Sequence, residues 1–137
     1  MKYFEFSQNN SGGSFVEDEN LGEYVLIEAE DLDKAIEIAE EIGIYFNGVT
    51  DERDCPCCGD RWYYPDEITL PYDISKASLY CYMPVQVKVL QTIEEYCQFL
   101  IDRGRVFTEL VVLHKLNSKP VQFKTQVTDV KAIETDR

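Results

Sequence analysis

Three cysteines stand at positions 55, 57 and 58, in a segment that reads Cys-Pro-Cys-Cys-Gly-Asp-Arg-Trp over residues 55–62. Cys55 and Cys58 have the spacing of two ligands in a zinc knuckle, and Cys57 could replace either of them. The proline fixes φ at the entry of the turn and Gly59 permits a left-handed exit, so that the thiolates can converge on one ion. The chemistry that these residues could do is therefore the binding of zinc.

A closed structural zinc site needs four ligands, and the sequence offers few others. Asp54 or Asp60 could supply an oxygen atom. Cys81 and Cys97 fall on apolar faces of predicted elements, which indicates core positions, and His114 ends an apolar strand as an isolated histidine. A homo-oligomer in which two chains share one ion would resolve the shortage. The alternative is a tight turn in which the thiols only pack.

The same spacing of cysteines occurs in dithiol oxidoreductases, but its context here argues against redox catalysis. That chemistry places the first cysteine at a helix N-terminus, where the helix dipole lowers the pKa of the thiol. Here Gly59, Asp60 and an aromatic run follow, without an amphipathic helix. The single histidine and the scattered carboxylates form no local catalytic signature. We therefore expect a protein that is not an enzyme and that acts by binding.

A loop rich in asparagine and glycine, residues 8–14, is the second candidate site. Consecutive backbone N–H groups at a Gly-Gly pair can form an anion-binding concavity, and asparagine amides can hydrogen-bond to bases. No lysine and no helix start follow, so the segment is not a P-loop. The alternative is a flexible hairpin tip, because these are ordinary turn residues. The candidate ligand-binding residues of this loop are Asn9, Asn10, Ser11, Gly12 and Gly13.

Large aromatic side chains cluster directly after the cysteine segment, at positions 62, 63 and 64, with further tyrosines at 72, 80 and 82. Rings with a polar tip suit flat ligands or protein partners. From this cluster we select Trp62 and Tyr64 as ligand-binding residues. Arg61 joins them, because it could contact a ligand phosphate or a partner carboxylate. The alternative is that these tyrosines pack beneath a loop or a helix.

Hydrophobic periodicity predicts the elements that must position these side chains. Strands are expected at residues 2–7, 23–29, 44–49 and 78–83 and in a closing hairpin of 106–114 and 120–126, with an irregular segment at 51–72. Helices are expected at about 31–43 and 92–103, because capping residues bound both segments. The predicted fold class is α+β: a mostly antiparallel sheet with the two helices on one face. One domain should span residues 1–127, followed by a polar tail at 128–137.

Charge is distributed very unevenly along the chain. Residues 17–67 contain 17 acids and 3 bases, a net charge of −14, whereas the rest of the chain carries a net charge of +1. An acidic surface repels phosphate backbones, which argues against direct binding of nucleic acid. The segment either serves solubility alone or forms an acidic face that binds a basic protein.

Composition narrows the class of protein further. Hydrophobic residues make up 45% and aromatic residues 12% of the 137 positions, as in one folded domain. The apolar runs are too short to span a bilayer and no signal-peptide core is present, so no membrane role is expected. Five cysteines without the spacing of a secreted scaffold indicate a reducing compartment. We therefore expect a cytoplasmic protein.

Three stretches of the sequence together resemble a group of small proteins encoded by tailed bacteriophages. They are YFEFSQNNSGGSF at residues 3–15, GIYFNG at 43–48, and CPCCGDRW at 55–62. The resemblance covers about the first half of the chain and brings no catalytic residues with it. It implies expression in the cytoplasm of an infected bacterium, among accessory proteins that bind host components, including defence systems.

The expected function combines this resemblance with the two candidate sites. In this interpretation the loop that begins at Asn9 and the aromatic residues around Trp62 form a pocket that sequesters a small nucleotide-type signal. One alternative is an acidic inhibitor that binds a basic host protein through residues 17–67. A second alternative is a structural module that zinc stabilises.

Overall fold

A computed structural model gives the structure of the protein and describes residues 1–9, 15–73, 89–102 and 110–124. Five strands lie in one sheet in the order β3-β1-β2-β6-β7, and β4 pairs with β5 in a small second sheet. The strands are β1 (Lys2–Ser7), β2 (Tyr24–Ala29), β3 (Asp66–Ile68), β4 (Tyr72–Asp73), β5 (Val89–Leu90), β6 (Leu110–His114) and β7 (Val121–Lys124); the helices are α1 (Leu32–Glu41) and α2 (Ile93–Asp102).

The predicted α+β class with two helices and a mostly antiparallel sheet is confirmed. Strand β1 pairs antiparallel with both β2 and β3, and β6 pairs antiparallel with β7 in the predicted closing hairpin. The exception is the pairing of β2 with β6, which is parallel. The large sheet is therefore mixed.

The placement of the helices differs from the prediction, which had both on one face. Successive side chains of a strand point to opposite faces of the sheet. Along β2, Tyr24 and Leu26 pack in one hydrophobic cluster with α2, whereas Val25 and Ile27 pack in another with α1. The helices therefore cover opposite faces. The physical reason is that β2 is apolar on both sides and needs a cover on each.

Local capping explains where α1 begins and ends. The Asp31 carboxylate accepts a hydrogen bond from the backbone N–H of Lys34 at 2.9 Å. After the helix, Gly43 adopts a φ of +112°, and the N–H of Ile44 bonds back to the carbonyl oxygen of Ala39 at 2.9 Å. This pattern is a Schellman motif, in which glycine supplies the left-handed residue. The first helix thus lies within the predicted segment 31–43.

Helix α2 begins with the predicted capping box. The Thr92 hydroxyl accepts a hydrogen bond from the N–H of Glu95 at 3.1 Å, and the Glu95 carboxylate accepts one from the N–H of Thr92 at 3.2 Å. Lys115 pairs with Glu94 at 2.7 Å and ties the first turn of the helix to the residue that follows β6. The predicted end of this helix, at about residue 103, lies outside the described residues.

The predicted strand at residues 44–49 is wrong, because the chain turns there. Asn47 has a φ of +58°, a left-handed value that is incompatible with a strand. The carbonyl oxygen of Gly48 accepts hydrogen bonds from the N–H groups of Arg53 at 2.7 Å and Asp54 at 3.0 Å. These bonds close a compact loop after α1 where the prediction expected an extended segment.

Strand β3 was missed, since it lies inside the segment 51–72 that was expected to be irregular. It is a short edge strand in which only Ile68 is buried, so it shows no alternation of apolar and polar residues. Its register places Ile68 opposite Tyr3 of β1. Strand β4 likewise begins at the end of that segment.

Several predictions fall on residues that the structure does not describe. These are the strand at 78–83, the first part of the closing hairpin at 106–109, and the tail at 128–137 together with the domain boundary before it. The single-domain assignment stays a prediction. No helix among the described residues has the length and apolar character needed to cross a membrane.

Candidate functional site

Backbone hydrogen bonds hold the last residues of the cysteine segment 55–62 next to the end of β1. The N–H of Asn9 donates to the carbonyl oxygen of Arg61 at 2.7 Å, and an antiparallel bridge pairs Gln8 with Trp62. Trp62 is only 3% exposed, because its ring packs in the cluster beneath α1. The two segments that the sequence singled out therefore meet at the same end of the sheet.

A tight turn brings the three thiols together, as the sequence predicted. The carbonyl oxygen of Cys55 accepts hydrogen bonds from the N–H groups of Cys58 at 3.0 Å and Gly59 at 3.1 Å. Gly59 has a φ of +87°, the left-handed exit expected of this glycine. The sulfur atoms of Cys55, Cys57 and Cys58 all lie within 4.8 Å of one another. Such a triad could hold a thiophilic metal ion.

The thiols of the triad differ in acidity because they share hydrogen bonds. The contact with the Cys57 thiol, at 2.7 Å between the sulfur atoms, lowers the pKa of Cys55. The same contact, with a further one to Cys58, raises the pKa of Cys57 to about 11. Cys97 differs, because burial raises the pKa of its thiol far above the ordinary value. Cys97 is a core residue, as predicted; Cys81 lies outside the described residues.

The two acids considered as oxygen ligands have other partners. The Asp54 carboxylate accepts hydrogen bonds from the Tyr45 hydroxyl at 2.7 Å and from the backbone N–H of Arg61 at 2.8 Å. Asp60 accepts one from the N–H of Val49 at 2.9 Å. Both carboxylates therefore brace the loop, and within the described part of the chain neither belongs to a metal-ligand group with the thiols.

His114 has a partner of its own and does not belong to the metal-ligand group of the described residues. Its Nε2 lies 2.8 Å from the carbonyl oxygen of Asn20, and burial is the main reason that the pKa of the ring is lowered. This histidine therefore has a structural hydrogen bond. Across the described residues, the metal-ligand group therefore consists of three sulfur atoms.

Beside the turn lies a depression that we call the aromatic cleft, with a volume of about 320 Å³. The Phe46 and Tyr64 rings stand with their centroids 4.9 Å apart and their planes tilted by 56°. Tyr63 and Tyr64 are 52% and 65% exposed, so their rings are accessible to a ligand. The cleft is lined by Asn9, Phe46, Asn47, Gly59, Asp60, Trp62, Tyr63 and Tyr64.

A second depression, the thiol cleft, has a volume of about 190 Å³. Two of the three bases of the acidic segment 17–67 line it, Arg53 and Arg61. The Arg53 guanidinium stands over the Tyr45 ring, 4.3 Å from its centroid, and Arg61 Nη1 donates to Gln8 Oε1 at 3.2 Å. The residues around this cleft are Asn9, Arg53, Asp54, Cys55, Cys58, Gly59 and Arg61.

The two clefts share a wall. Asn9 and Gly59 line both of them. The Asn9 side-chain amide donates to the carbonyl oxygens of Cys58 at 2.7 Å and Asp60 at 3.2 Å. A Cβ atom added to Gly59 would lie 3.3 Å from that same amide nitrogen. The shared wall is therefore fixed by close contacts between β1 and the cysteine turn.

The structure brings part of the predicted ligand site together. Asn9, Trp62 and Tyr64 line the aromatic cleft, and Arg61 lines the adjoining thiol cleft. The remaining predicted ligand-binding residues lie outside the part of the chain that the structure describes: Asn10, Ser11, Gly12 and Gly13.

Five residues that line the aromatic cleft were not among the predicted ligand-binding residues: Phe46, Asn47, Gly59, Asp60 and Tyr63. Phe46 and Asn47 were assigned to a strand, so their side chains were not considered as lining residues. The available signal was the Asn-Gly pair at positions 47–48, because that dipeptide is typical of a turn.

A comparison with protein families finds a match over most of the chain. The model of the family described as "Domain of unknown function (DUF7296)" matches residues 1–106. This match extends beyond the first half of the chain, over which the sequence showed its resemblance. The description brings no activity, ligand or partner with it. A search of curated proteins and a search of solved structures each return no match.

Proposed function

We propose that this chain, which belongs to the DUF7296 family, acts by binding a small nucleotide-type ligand in its adjoining clefts. In this role it is a phage-encoded accessory protein that sequesters a signal of the host cell. The observation that carries the proposal is the shared wall: Asn9 and Gly59 line both the aromatic cleft and the thiol cleft. A flat ring and a charged group of one ligand would therefore lie side by side.

The aromatic cleft suits a nucleobase. Tyr64 is 65% exposed, and its ring contacts the tilted ring of Phe46 at a centroid distance of 4.9 Å. Phe46 in turn lies 6.2 Å from the Phe6 ring of β1, so the platform is anchored in the core. Stacking of a base on an aromatic side chain contributes about 1–3 kcal/mol of binding free energy.

The thiol cleft suits an anionic group. In a segment with 17 acids, this cleft is lined by two bases, Arg53 and Arg61, and by one acid, Asp54. Guanidinium groups bind phosphate through charge-assisted, often bidentate, hydrogen bonds. The surrounding carboxylates oppose a long polyanion. This balance favours a mononucleotide or a cyclic nucleotide over a nucleic acid chain.

Isothermal titration calorimetry against mononucleotides, cyclic nucleotides and ADP-ribose tests the proposal. We expect Tyr64→Ala to weaken binding by about 1–3 kcal/mol, roughly 5- to 150-fold in Kd, because the stacking platform is lost. Arg53→Gln should weaken the binding of ligands that carry a phosphate but not the binding of the matching nucleosides. Leu116→Ala is the control, because Leu116 is 52% exposed and does not line either cleft. Absence of heat with every ligand contradicts the proposal.

The thiol triad favours a second candidate function, a module that zinc stabilises. Three sulfur atoms within 4.8 Å of one another could supply three of the four ligands that a tetrahedral site needs, and a second chain could supply the fourth. Metal analysis after zinc loading and desalting tests this candidate. We expect at least about half an equivalent of zinc per chain, the content of a site shared by two chains. Replacing Cys55 and Cys58 by serine should remove the zinc, whereas Cys97→Ala should retain it.

A further inference from the structure

We infer that a thiophilic divalent ion on Cys55, Cys57 and Cys58 and a nucleotide in the aromatic cleft bind with positive coupling, each raising the affinity of the protein for the other. The inference deepens the proposed function and rests on it. It follows from the contacts that connect the cysteine turn to the walls of the cleft.

The first step is the effect of the ion on the turn. Cys55 and Cys57 are exposed, and the turn is closed by two backbone hydrogen bonds to the Cys55 carbonyl oxygen. An ion bound to all three sulfur atoms would add three bonds across the same few residues. Since metal binding to such a turn restricts its conformations, the ion would hold the Cys58–Gly59 peptide in one position.

The second step is the connection from the turn to the cleft. The Asn9 amide holds the carbonyl oxygens of Cys58 and Asp60, on either side of Gly59. The Asp60 carboxylate then accepts a hydrogen bond from the N–H of Val49, in the loop that carries Phe46. Asp60 and Phe46 both line the aromatic cleft. Any restriction of the turn is therefore transmitted to two sides of the cleft.

The third step is thermodynamic. A ligand that binds a pre-ordered site loses less conformational entropy, so its affinity is higher. Coupling between two binding sites is reciprocal, and its usual size is about 5- to 150-fold in affinity. We expect the ion to lower the Kd of the nucleotide at least about fivefold, and the nucleotide to lower the Kd of the ion by the same factor.

Trp62 reports on the cleft without any nucleotide. It is the only tryptophan of the chain, it is 3% exposed, and it lines the aromatic cleft. Titration of the reduced protein with Zn²⁺ or Cd²⁺ should change the fluorescence of Trp62 in proportion to the ion bound. For Cd²⁺, the thiolate-to-metal absorption band measures ion binding independently. The variant with serine at all three triad positions should lose both signals, and Cys97→Ala should keep both. Ion binding without a change in emission would overturn the inference.

Calorimetry with and without the ion then measures the coupling. Asn9→Ala should reduce the coupling, because both side-chain hydrogen bonds across the shared wall are lost. The coupling is the ratio of the nucleotide Kd without and with the ion in the same variant, so a change in either separate affinity does not enter it. The triple serine variant controls for complexes between the ion and the nucleotide in solution. A nucleotide Kd that the ion leaves unchanged overturns the coupling but not the proposed function. If the ion changes the emission of Trp62 but no nucleotide binds under any condition, both the coupling and the proposed function are overturned.

Discussion

The geometry of the cysteine turn depends on Gly59. Its φ of +87° is a left-handed conformation, which costs an L side chain about 1–2 kcal/mol. A Cβ atom at this position would also press on Asn9 Nδ2 at 3.3 Å. We expect Gly59→Ala to lower the free energy of unfolding by about 1–2 kcal/mol and to shift the emission of Trp62, measured by urea unfolding and fluorescence.

Gly43→Ala is the matched control for that prediction. Gly43 also has a left-handed φ, of +112°, but an added Cβ atom would make only an ordinary contact of 3.4 Å with Leu21. This variant should lose a similar amount of stability, since the strain is of the same kind, while the emission of folded Trp62 stays unchanged. If the Gly59→Ala protein is as stable as its parent, the left-handed conformation at this position does not strain an alanine, and the prediction is wrong.

His114 predicts how stability depends on pH. Because a carbonyl oxygen can only accept, Nε2–H of the neutral ring donates to Asn20 at 2.8 Å. Burial lowers the pKa of the folded ring below its ordinary value of 6.5, so the unfolded chain binds the proton more readily. The stabilisation of the neutral ring is therefore present above about pH 6.5 and is lost as the pH falls through the folded pKa.

The measurement is urea unfolding of the parent and of His114→Gln between about pH 7.5 and 5.5. Glutamine keeps a donor for the Asn20 carbonyl oxygen but does not titrate. We expect the parent to lose more stability than the variant over this range. Carboxylates titrate in both proteins and cancel in the difference. Parallel curves would show that the ring contributes nothing to the acid response.

Among the secondary-structure elements, α2 depends on its capping box for a defined start. Thr92 and Glu95 exchange hydrogen bonds of 3.1 and 3.2 Å, which satisfy backbone donors of the first turn. We expect Thr92→Ala to lower the free energy of unfolding by about 1 kcal/mol, measured by urea unfolding. Thr92→Ser keeps the hydroxyl and should stay within about half of that loss. Equal losses in the two variants would assign the effect to the methyl group and not to the cap.

Both helix starts could be predicted from the sequence, because capping is a local signal carried by a few neighbouring residues. The turn at residues 44–49 also carries a local signal, the Asn-Gly pair at positions 47–48. It was missed because the apolar residues of the segment were given more weight than this pair. Strand β3 exists only through its pairing with β1, and a short edge strand with one buried residue has no periodic signature. The assignment of each helix to a face also needs the order of the strands.

Some features of the candidate site could likewise be predicted from the sequence, and others could not. Convergence of the three thiols follows from residues that are adjacent in sequence, and it was predicted. The shared wall joins Asn9 to Cys58 and Asp60, which are far apart along the chain, so no local pattern reveals it. Phe46 enters the aromatic cleft through the loop after α1, another long-range arrangement.

At the scale of the whole molecule, the dominant feature is the concentration of negative charge in residues 17–67, where 3 bases accompany 17 acids. The alternative function, inhibition of a basic host protein by this face, stays a prediction. Such an interaction would weaken as salt is raised past about 0.15 M, because exposed charges are then screened beyond about 8 Å. The same screening acts on the protein itself, whose acids repel one another in the folded state.

The stability of the molecule should therefore rise with salt, and Glu41 offers a graded test of the cause. Glu41 ends α1, whose last turn contains no base, so its charge opposes both the helix dipole and the surrounding acids. We expect Glu41→Lys to raise the free energy of unfolding in urea by about 0.3–1 kcal/mol near 0.01 M NaCl, with Glu41→Gln giving a smaller gain. Both gains should shrink as the Debye length falls from about 30 Å at 0.01 M to about 10 Å at 0.1 M. If the gains persist undiminished in 1 M NaCl, they come from helix propensity or packing, and self-repulsion is not what limits the stability of this fold.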